Sequence, residues 1–173
     1  AGLVKPRVGS IEFEGEDICG RDPTAIVTRG ITLVPEGRRI FPDLTVLENV
    51  KVAFNQSMSY SVLEGILRLP RYWKEEEEID RIARDILSVF HMEGEVEQKA
   101  ENLPYGRQRK LEIARAIATG AKILLLDEPA AGMNPTETAE LMEAISLIRT
   151  RFGVSILLIE HDMSLDMSIC ERI

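Results

Sequence analysis

Cysteine is scarce in this chain: Cys19 and Cys170 are its two cysteines, far apart and without metal-ligand spacing, so neither a disulfide framework nor a cysteine-based metal site is expected. Positive charge is also short. Lys and Arg number 21 against 29 Asp and Glu, for a net charge of −8. That balance argues against the basic face a nucleic-acid binder needs. Arg107, Arg109, Lys110 and Arg115 do cluster, but on one predicted helix. There is no apolar run of about 18 residues and no signal-peptide pattern, so the chain is not expected to cross a membrane itself, although it could sit against something that does. No internal repeat and no low-complexity tract interrupts it. At 173 residues, 45% hydrophobic and 29% charged, the composition is that of a soluble globular unit with one ordinary core.

The stretch Ile123-Leu124-Leu125-Leu126-Asp127-Glu128-Pro129 organises the rest. Four apolar residues suit a strand buried on both faces, and a proline that cannot donate to a sheet ladder ends it. Asp127 and Glu128 are thereby delivered to the strand's C-terminal end, which in an open α/β sheet faces the ligand crevice. An acid at such a tip suits a nucleotide's Mg²⁺, and the next one suits polarisation of a water. A buried strand that merely ends in a solvated acidic turn is the plainer alternative, so the remaining sequence has to decide.

From the start, Ala1 to Ser10 reads as the tail of a helix entering a turn, and Ser10 to Gly15 as a half-exposed strand closed by a turn. Asp22 caps a short helix over Pro23 to Ile26; Gly30 to Pro35 is a second strand, followed by the carboxylate of Glu36. Thr45 and Glu48 form a capping-box pattern that predicts a helix through about Phe54, and Asn55 to Arg71 is the least regular segment. From Trp73 to Met92, Ile79, Ile82, Ala83, Ile86, Leu87 and Phe90 make one apolar stripe, with Glu75 to Glu78 as the helix's solvated first turn. Gly94 to Ala100 is a polar connector. Asn102 to Gly106 turns into a strong helix over Arg107 to Ala118, stopped by Gly120. Asn134, Pro135 and Glu137 supply an N-cap, a proline at N1 and an acid at N3 for a helix with the stripe Leu141, Ile145, Ile148 and Phe152. Gly153 ends that helix, Val154 to Ile159 forms another buried strand with Glu160 and His161 at its tip, and a last helix begins at Asp162. Two neighbouring strands thus hand polar groups to one crevice. A histidine beside paired acids there can hold a phosphate or an attacking water, where a lone histidine would more often be structural.

Four segments, in order, now carry a resemblance: Leu103 to Arg109, Ile123 to Pro129, Ala130 to Pro135, and Leu158 to Asp162 look like the signature, Walker B, D-loop and switch-histidine segments of an ABC ATPase. Within that family the chain resembles the ATP-binding subunits of branched-chain amino-acid importers; Val34 to Pro42 is similar to the companion ATPase of such a pair. The resemblance covers essentially all of the sequence. It implies an α/β P-loop NTPase (ABC ATPase) fold, with a partial RecA-like sheet core and an α-helical subdomain: residues 1–44 and 119–173 in the core, 45–118 helical and ending in the signature helix.

The resemblance also implies roles. Asp127 would bind Mg²⁺, Glu128 would be the general base for the water attacking the γ-phosphate of ATP, and His161 would hold that phosphate. Glu36 stands where the family generally has a glutamine that reaches Mg²⁺ and senses the transport partner; a carboxylate can still ligate the ion but adds negative charge. Leu103, Pro104, Tyr105, Gly106, Arg107 and Gln108 would form or flank the signature turn, whose helix N-terminus offers amides to the nucleotide on an opposite subunit. Pro104 and Tyr105 replace the usual Ser and Gly, so a hydroxyl donor is lost. Asn134 takes the D-loop position usually held by Asp. Partners would be transmembrane permease subunits and a second ATP-binding subunit, at the cytoplasmic face of the plasma (inner) membrane.

A phosphate-cradling Gly-x-x-x-x-Gly-Lys-Ser/Thr occurs nowhere in the 173 residues. The expectation is an N-terminal truncation, and hence that these residues alone neither bind ATP tightly nor hydrolyse it. Micromolar or tighter ATP binding by the 173 residues would contradict this. DNA-repair and chromosome-organising ATPases share such a core but need long coiled-coil insertions, for which there is no room. A non-catalytic remnant acting as a binding module, and the ATPase of a urea or amide importer, stay open at the level of sequence.

Overall fold

The computed structural model describes residues 1–56, apart from positions 5 and 38, and residues 70–160. Three parallel strands, β3 (Ile31–Val34), β4 (Ile123–Asp127) and β5 (Ser155–Ile159), form the central sheet in the order β3-β4-β5. The register pairs Val34 with Leu126 and Asp127 with Ile159, so all three C-terminal ends leave the sheet along one edge. Parallel neighbours need long crossovers. Between β3 and β4 the chain passes through α2 (Val46–Val52), α3 (Pro70–Val89) and α4 (Tyr105–Ala118); between β4 and β5 it passes through α5 (Pro135–Phe152).

Local chemistry sets these elements. The Thr45 hydroxyl accepts from the Glu48 amide at 3.1 Å while the Glu48 carboxylate accepts from the Thr45 amide at 2.8 Å, the reciprocal box that starts α2. Asn134 and Glu137 make the same box at α5, where Pro135 occupies the first turn and left-handed Gly153 ends the helix. On α3, Ile79, Ala83, Ile86 and Leu87 are buried, as their spacing predicts, and Phe90 just beyond is fully buried.

Several expectations shift. Residues 1–10 contain no helix among those described: Pro6 removes a donor, and Gly2 and Gly9 take positive φ. The strand in Ser10 to Gly15 shortens to β1 (Glu12–Phe13) and gains an unforeseen antiparallel partner, β2 (Glu16–Asp17), across a turn with positive φ at both Glu14 and Gly15. α1 (Pro23–Thr28) is capped by Asp22 as expected. α2 tightens into a 3-10 turn at Ala53, and the polar connector holds 3-10 turns at Glu93–Glu95 and Ala100–Asn102. Because α3 starts at Pro70 rather than Trp73, Glu75 to Glu78 lie past its first turn; Glu76 pairs with Lys51 of α2 at 2.9 Å, and so links two helices instead of serving the helix dipole.

The strands are also less enclosed than their apolar runs suggest. Leu124, Leu126 and Val34 face the large core with α2–α5, against which Ile156 and Leu158 pack in part. Among the described residues the other face meets a small cluster around Ile18, Ile26 and Ile31, and Leu157 and Ile159 of β5 are 59% and 53% exposed. Among the described residues no helix is long and apolar enough to cross a membrane.

Candidate active site

At the edge where the strands end, β4 does not simply stop. Glu128 takes φ +44°, a left-handed conformation costly for a residue with a Cβ. Its amide donates to Ile159 O at 2.9 Å, and the Ala130 amide donates to Glu160 Oε1 at 3.0 Å. The tips of β4 and β5, neighbours as the sequence predicts, are therefore stitched together through Glu128 and Glu160. Asp127 and Glu128 are both half-buried. The break from strand to left-handed backbone thus falls between two adjacent carboxylates at the C-terminal end of β4.

A side chain from α4 holds that break. Arg109 is 4% exposed and donates from Nη2 to Asp127 O at 2.6 Å and Glu128 O at 3.3 Å, from Nε to Pro129 O at 3.3 Å, and from Nη1 to Pro35 O and Glu112 Oε2, both at 2.9 Å. A guanidinium carries five N–H donors in a rigid fork, and here the fork spans the tips of β3 and β4. Glu112, 6% exposed, supplies the neutralising charge a buried cation needs.

Glu36, exposed, follows Pro35 directly. The loop beyond it is pinned to α4 and α2: Glu112 Oε1 accepts from the Arg39 amide, Arg115 donates to Arg39 O, and the Arg115 guanidinium lies 4.5 Å over the Phe41 ring. Burial pushes the Arg115 guanidinium below its usual range, and its Nε is buried without a hydrogen-bond partner. Asn49, fully buried, accepts from the Phe41 amide at 2.9 Å and donates to Phe41 O, Leu44 O and Thr45 O at 2.9, 3.3 and 2.9 Å. Between this loop and α4 lies a cavity of about 390 Å³, lined in part by Thr32, Val34, Arg39, Glu112 and Arg115, with Phe41 and Val52 exposed beside it.

The turn at residues 103–108 starts α4 at Tyr105, two residues earlier than the Arg107 start the sequence predicts. Pro104 occupies the N-cap and contributes no side-chain cap, consistent with the missing hydroxyl; the Gln108 amide is the first to bond back, to Pro104 O at 3.0 Å. Pro104 and Tyr105 are exposed while Leu103, Gly106 and Gln108 are buried, so this turn can reach a ligand by its backbone and by the first two of these side chains only. Gly106 packs closely: a Cβ there would sit 2.9 Å from Glu137 Oε1 and 3.1 Å from Met133 Cε, side-chain ends that would have to shift. The start of α4 is thereby docked on the start of α5. Gln108 turns inward and donates to Leu103 O at 2.9 Å, and Arg107 points back to the end of α3, donating to Phe90 O at 3.1 Å and His91 O at 2.8 Å. The Asn134 side-chain oxygen is occupied as an N-cap, accepting from the Thr136 and Glu137 amides at 3.0 Å each.

Asp127, Glu128 and Glu160 are thus brought to one edge, with Glu36 next to a carbonyl held by the same arginine. His161, Cys170 and the helix expected from Asp162 lie outside the described residues, as does most of the irregular segment after Asn55. Sequence reasoning missed Arg109, Glu112 and Asn49. The sequence carried no signal for the first two: α4 is rich in charged residues, and its burial on nearly every side comes from the fold around it.

Comparison with known proteins agrees with this geometry. Residues 1–131 match the model of the ABC transporter family. The chain is 40% identical over 173 residues to the high-affinity branched-chain amino acid transport ATP-binding protein LivG of Escherichia coli (strain K12), and 38% identical over 172 residues to BraF, a protein of the same description from Pseudomonas aeruginosa. Each alignment covers 99% of this chain and 68% of the relative. A crystal structure of an ATP-binding cassette of an ABC transporter in its ADP conformation superposes with a TM-score of 0.77 at 27% identity, covering 97% of this chain and 65% of the cassette. The chain therefore spans about two thirds of the length of the proteins it matches.

Proposed function

The chain belongs to the ABC transporter family, and on that premise we propose that the whole protein is an ATP-hydrolysing subunit driving import of branched-chain amino acids through a separate membrane permease. Its fold is the P-loop NTPase fold of the ABC ATPase cassettes. The observation that carries the activity is the break at Asp127 and Glu128, held at the C-terminal edge of a parallel sheet where α/β proteins bind ligands.

The roles follow from this chain's own groups. Glu128 accepts the proton of the water that attacks the γ-phosphate. Asp127 fits a hard divalent cation, since such ions take oxygen ligands and Mg²⁺ is commonly held by one or two carboxylates plus phosphate oxygens; the described residues offer no cluster of three or more candidate ligands that would suit an all-protein metal cage. Mg²⁺, when bound, neutralises charge on the phosphates. Glu36 is the second oxygen donor within reach of that edge by its place in the loop, and His161 supplies the contact to the γ-phosphate. The N-terminus of α4, with Leu103 to Gln108 around it and Asn134 beside it, faces a second ATP-binding subunit, whose nucleotide its amides meet. Residues 1–44 and 119–173 act as the sheet core and 45–118 as the helical part. The cavity between α4 and the loop at Arg39 receives a short cytoplasmic segment of the permease, seated on Phe41 and Val52, and so places the subunit at the inner face of the membrane.

The test uses the full-length protein assembled with its permease in vesicles. ATP-dependent uptake of labelled leucine is expected, together with phosphate release that requires Mg²⁺. Val52→Glu, which puts a charge into the apolar seat, is expected to lower uptake about tenfold while leaving phosphate release by the isolated subunit unchanged. No phosphate release in any assembly would sink the ATPase, and unimpaired uptake in Val52→Glu would remove the cavity as the permease seat.

A further inference from the structure

We propose that Arg109 is a positioning residue that sets the backbone of Glu128, and with it the general base, and that the same guanidinium ties this setting to the loop at Glu36. The inference rests on the ATPase reading above and adds a residue to it. A non-glycine residue at φ +44° stays there only if its surroundings over-determine it. Arg109 grips the carbonyls on both sides of the strained Cα, those of Asp127 and Glu128, and the next one at Pro129. Carbonyl planes fix the rotation of a peptide, so a rigid fork holding three in a row fixes the dihedrals between them.

The remaining fork arm reaches Pro35 O, the carbonyl just before Glu36, and shares its charge with Glu112, whose other oxygen accepts from the Arg39 amide. A displacement of the loop over 35–39 must therefore move the guanidinium or break it from Pro35. Either change reaches the Glu128 carbonyl through one side chain. A purely structural ion pair with Glu112 would need none of the bonds to Asp127, Glu128 or Pro129.

Lysine distinguishes the two. Arg109→Lys keeps the buried charge beside Glu112, but a single ammonium cannot span carbonyls on two strands. In the full-length protein, Arg109→Lys is expected to lower kcat for ATP about 100-fold, the cost of misplacing a reacting group by about an ångström, with KM within about twofold. Hydrogen exchange of the Glu128 and Ala131 amides, bonded to Ile159 O and Glu128 O, is expected to quicken at least about tenfold without loss of the global transition. Should that variant not fold, Glu112→Gln serves in its place, because it keeps an acceptor for Arg39 and loosens the fork; its kcat is expected to drop about tenfold, again with KM unchanged. A wild-type kcat in the variant that folds, or a loss of turnover matched only by loss of folded protein, overturns the proposal. A wild-type protein without turnover overturns the ATPase reading instead.

Discussion

Glu128→Gln in the full-length protein is expected to bind ATP with wild-type affinity and to hydrolyse it about 10³-fold more slowly. The amide is close in size to the carboxylate and can take the same left-handed backbone, held by the same bonds from Arg109 to Asp127 O and Glu128 O. What it cannot do is accept a proton, and general-base assistance contributes about 10² to 10⁴ in rate. On the proposed reading the phosphates are held elsewhere, by the metal and by groups donating hydrogen bonds, so binding is expected to be spared. Phosphate release and equilibrium nucleotide binding, measured on the same preparation, separate the two effects. A reduction of less than tenfold would take Glu128 out of the role of base and leave it as part of the turn.

Asn49→Ala is expected to destabilise the fold by about 2 to 3 kcal/mol. One amide side chain, fully buried, accepts from the Phe41 amide and donates to the carbonyls of Phe41 and Leu44 and of its own helix at Thr45. The carbonyls of Phe41, Leu44 and Thr45 keep the amides of Leu44, Ala100 and Asn49 as donors, so the Phe41 amide is the group that loses its partner, at a cost of about 1 to 3 kcal/mol, and the buried space of the amide side chain is left empty. The loop over 39–44 would come away from α2, which also exposes the face that carries Phe41. Denaturant unfolding reads the effect as a lower midpoint at an unchanged slope. A change below about 1 kcal/mol would mean that water satisfies the Phe41 amide and that the loop is held by Arg115 and Glu112 alone.

How much of this was legible in the sequence varied with the physics of each element. α5 was readable to the residue, because Asn134, Pro135 and Glu137 act locally on the first turn they begin. β4 was readable too, since a short apolar run ending in acids and a proline has few other uses. Enclosure was not. The apolar run of Val154 to Ile159 over-predicted the burial of β5, because burial depends on what covers each face, and among the described residues the small cluster around Ile18 and Ile26 leaves Leu157 and Ile159 exposed. The hairpin of β1 and β2 was half visible: Glu14-Gly15 signals a turn, but a strand of two residues leaves no periodicity to find.

At the candidate site, the structure places the carboxylates of Asp127 and Glu128 at the strand end where the sequence pattern puts them. Arg109 was not legible, because a basic residue in a cluster reads as solvated until the helix around it is seen to be buried on every side. Arg107 and Asn134 show the converse. Their positions in the turn and the loop were correct, yet one side chain closes the end of α3 and the other caps α5, so what they offer a ligand is mainly backbone.

On the proposed reading a nucleotide-bound divalent ion sits at the Asp127–Glu128 break. Replacing Mg²⁺ by paramagnetic Mn²⁺ in the full-length protein, and recording amide signals with and without ATP, tests it most directly. Broadening of the Asp127 and Glu128 signals that appears only when ATP and Mn²⁺ are both present is the expected result. Broadening confined to other residues, with sharp signals at 127 and 128, would contradict it.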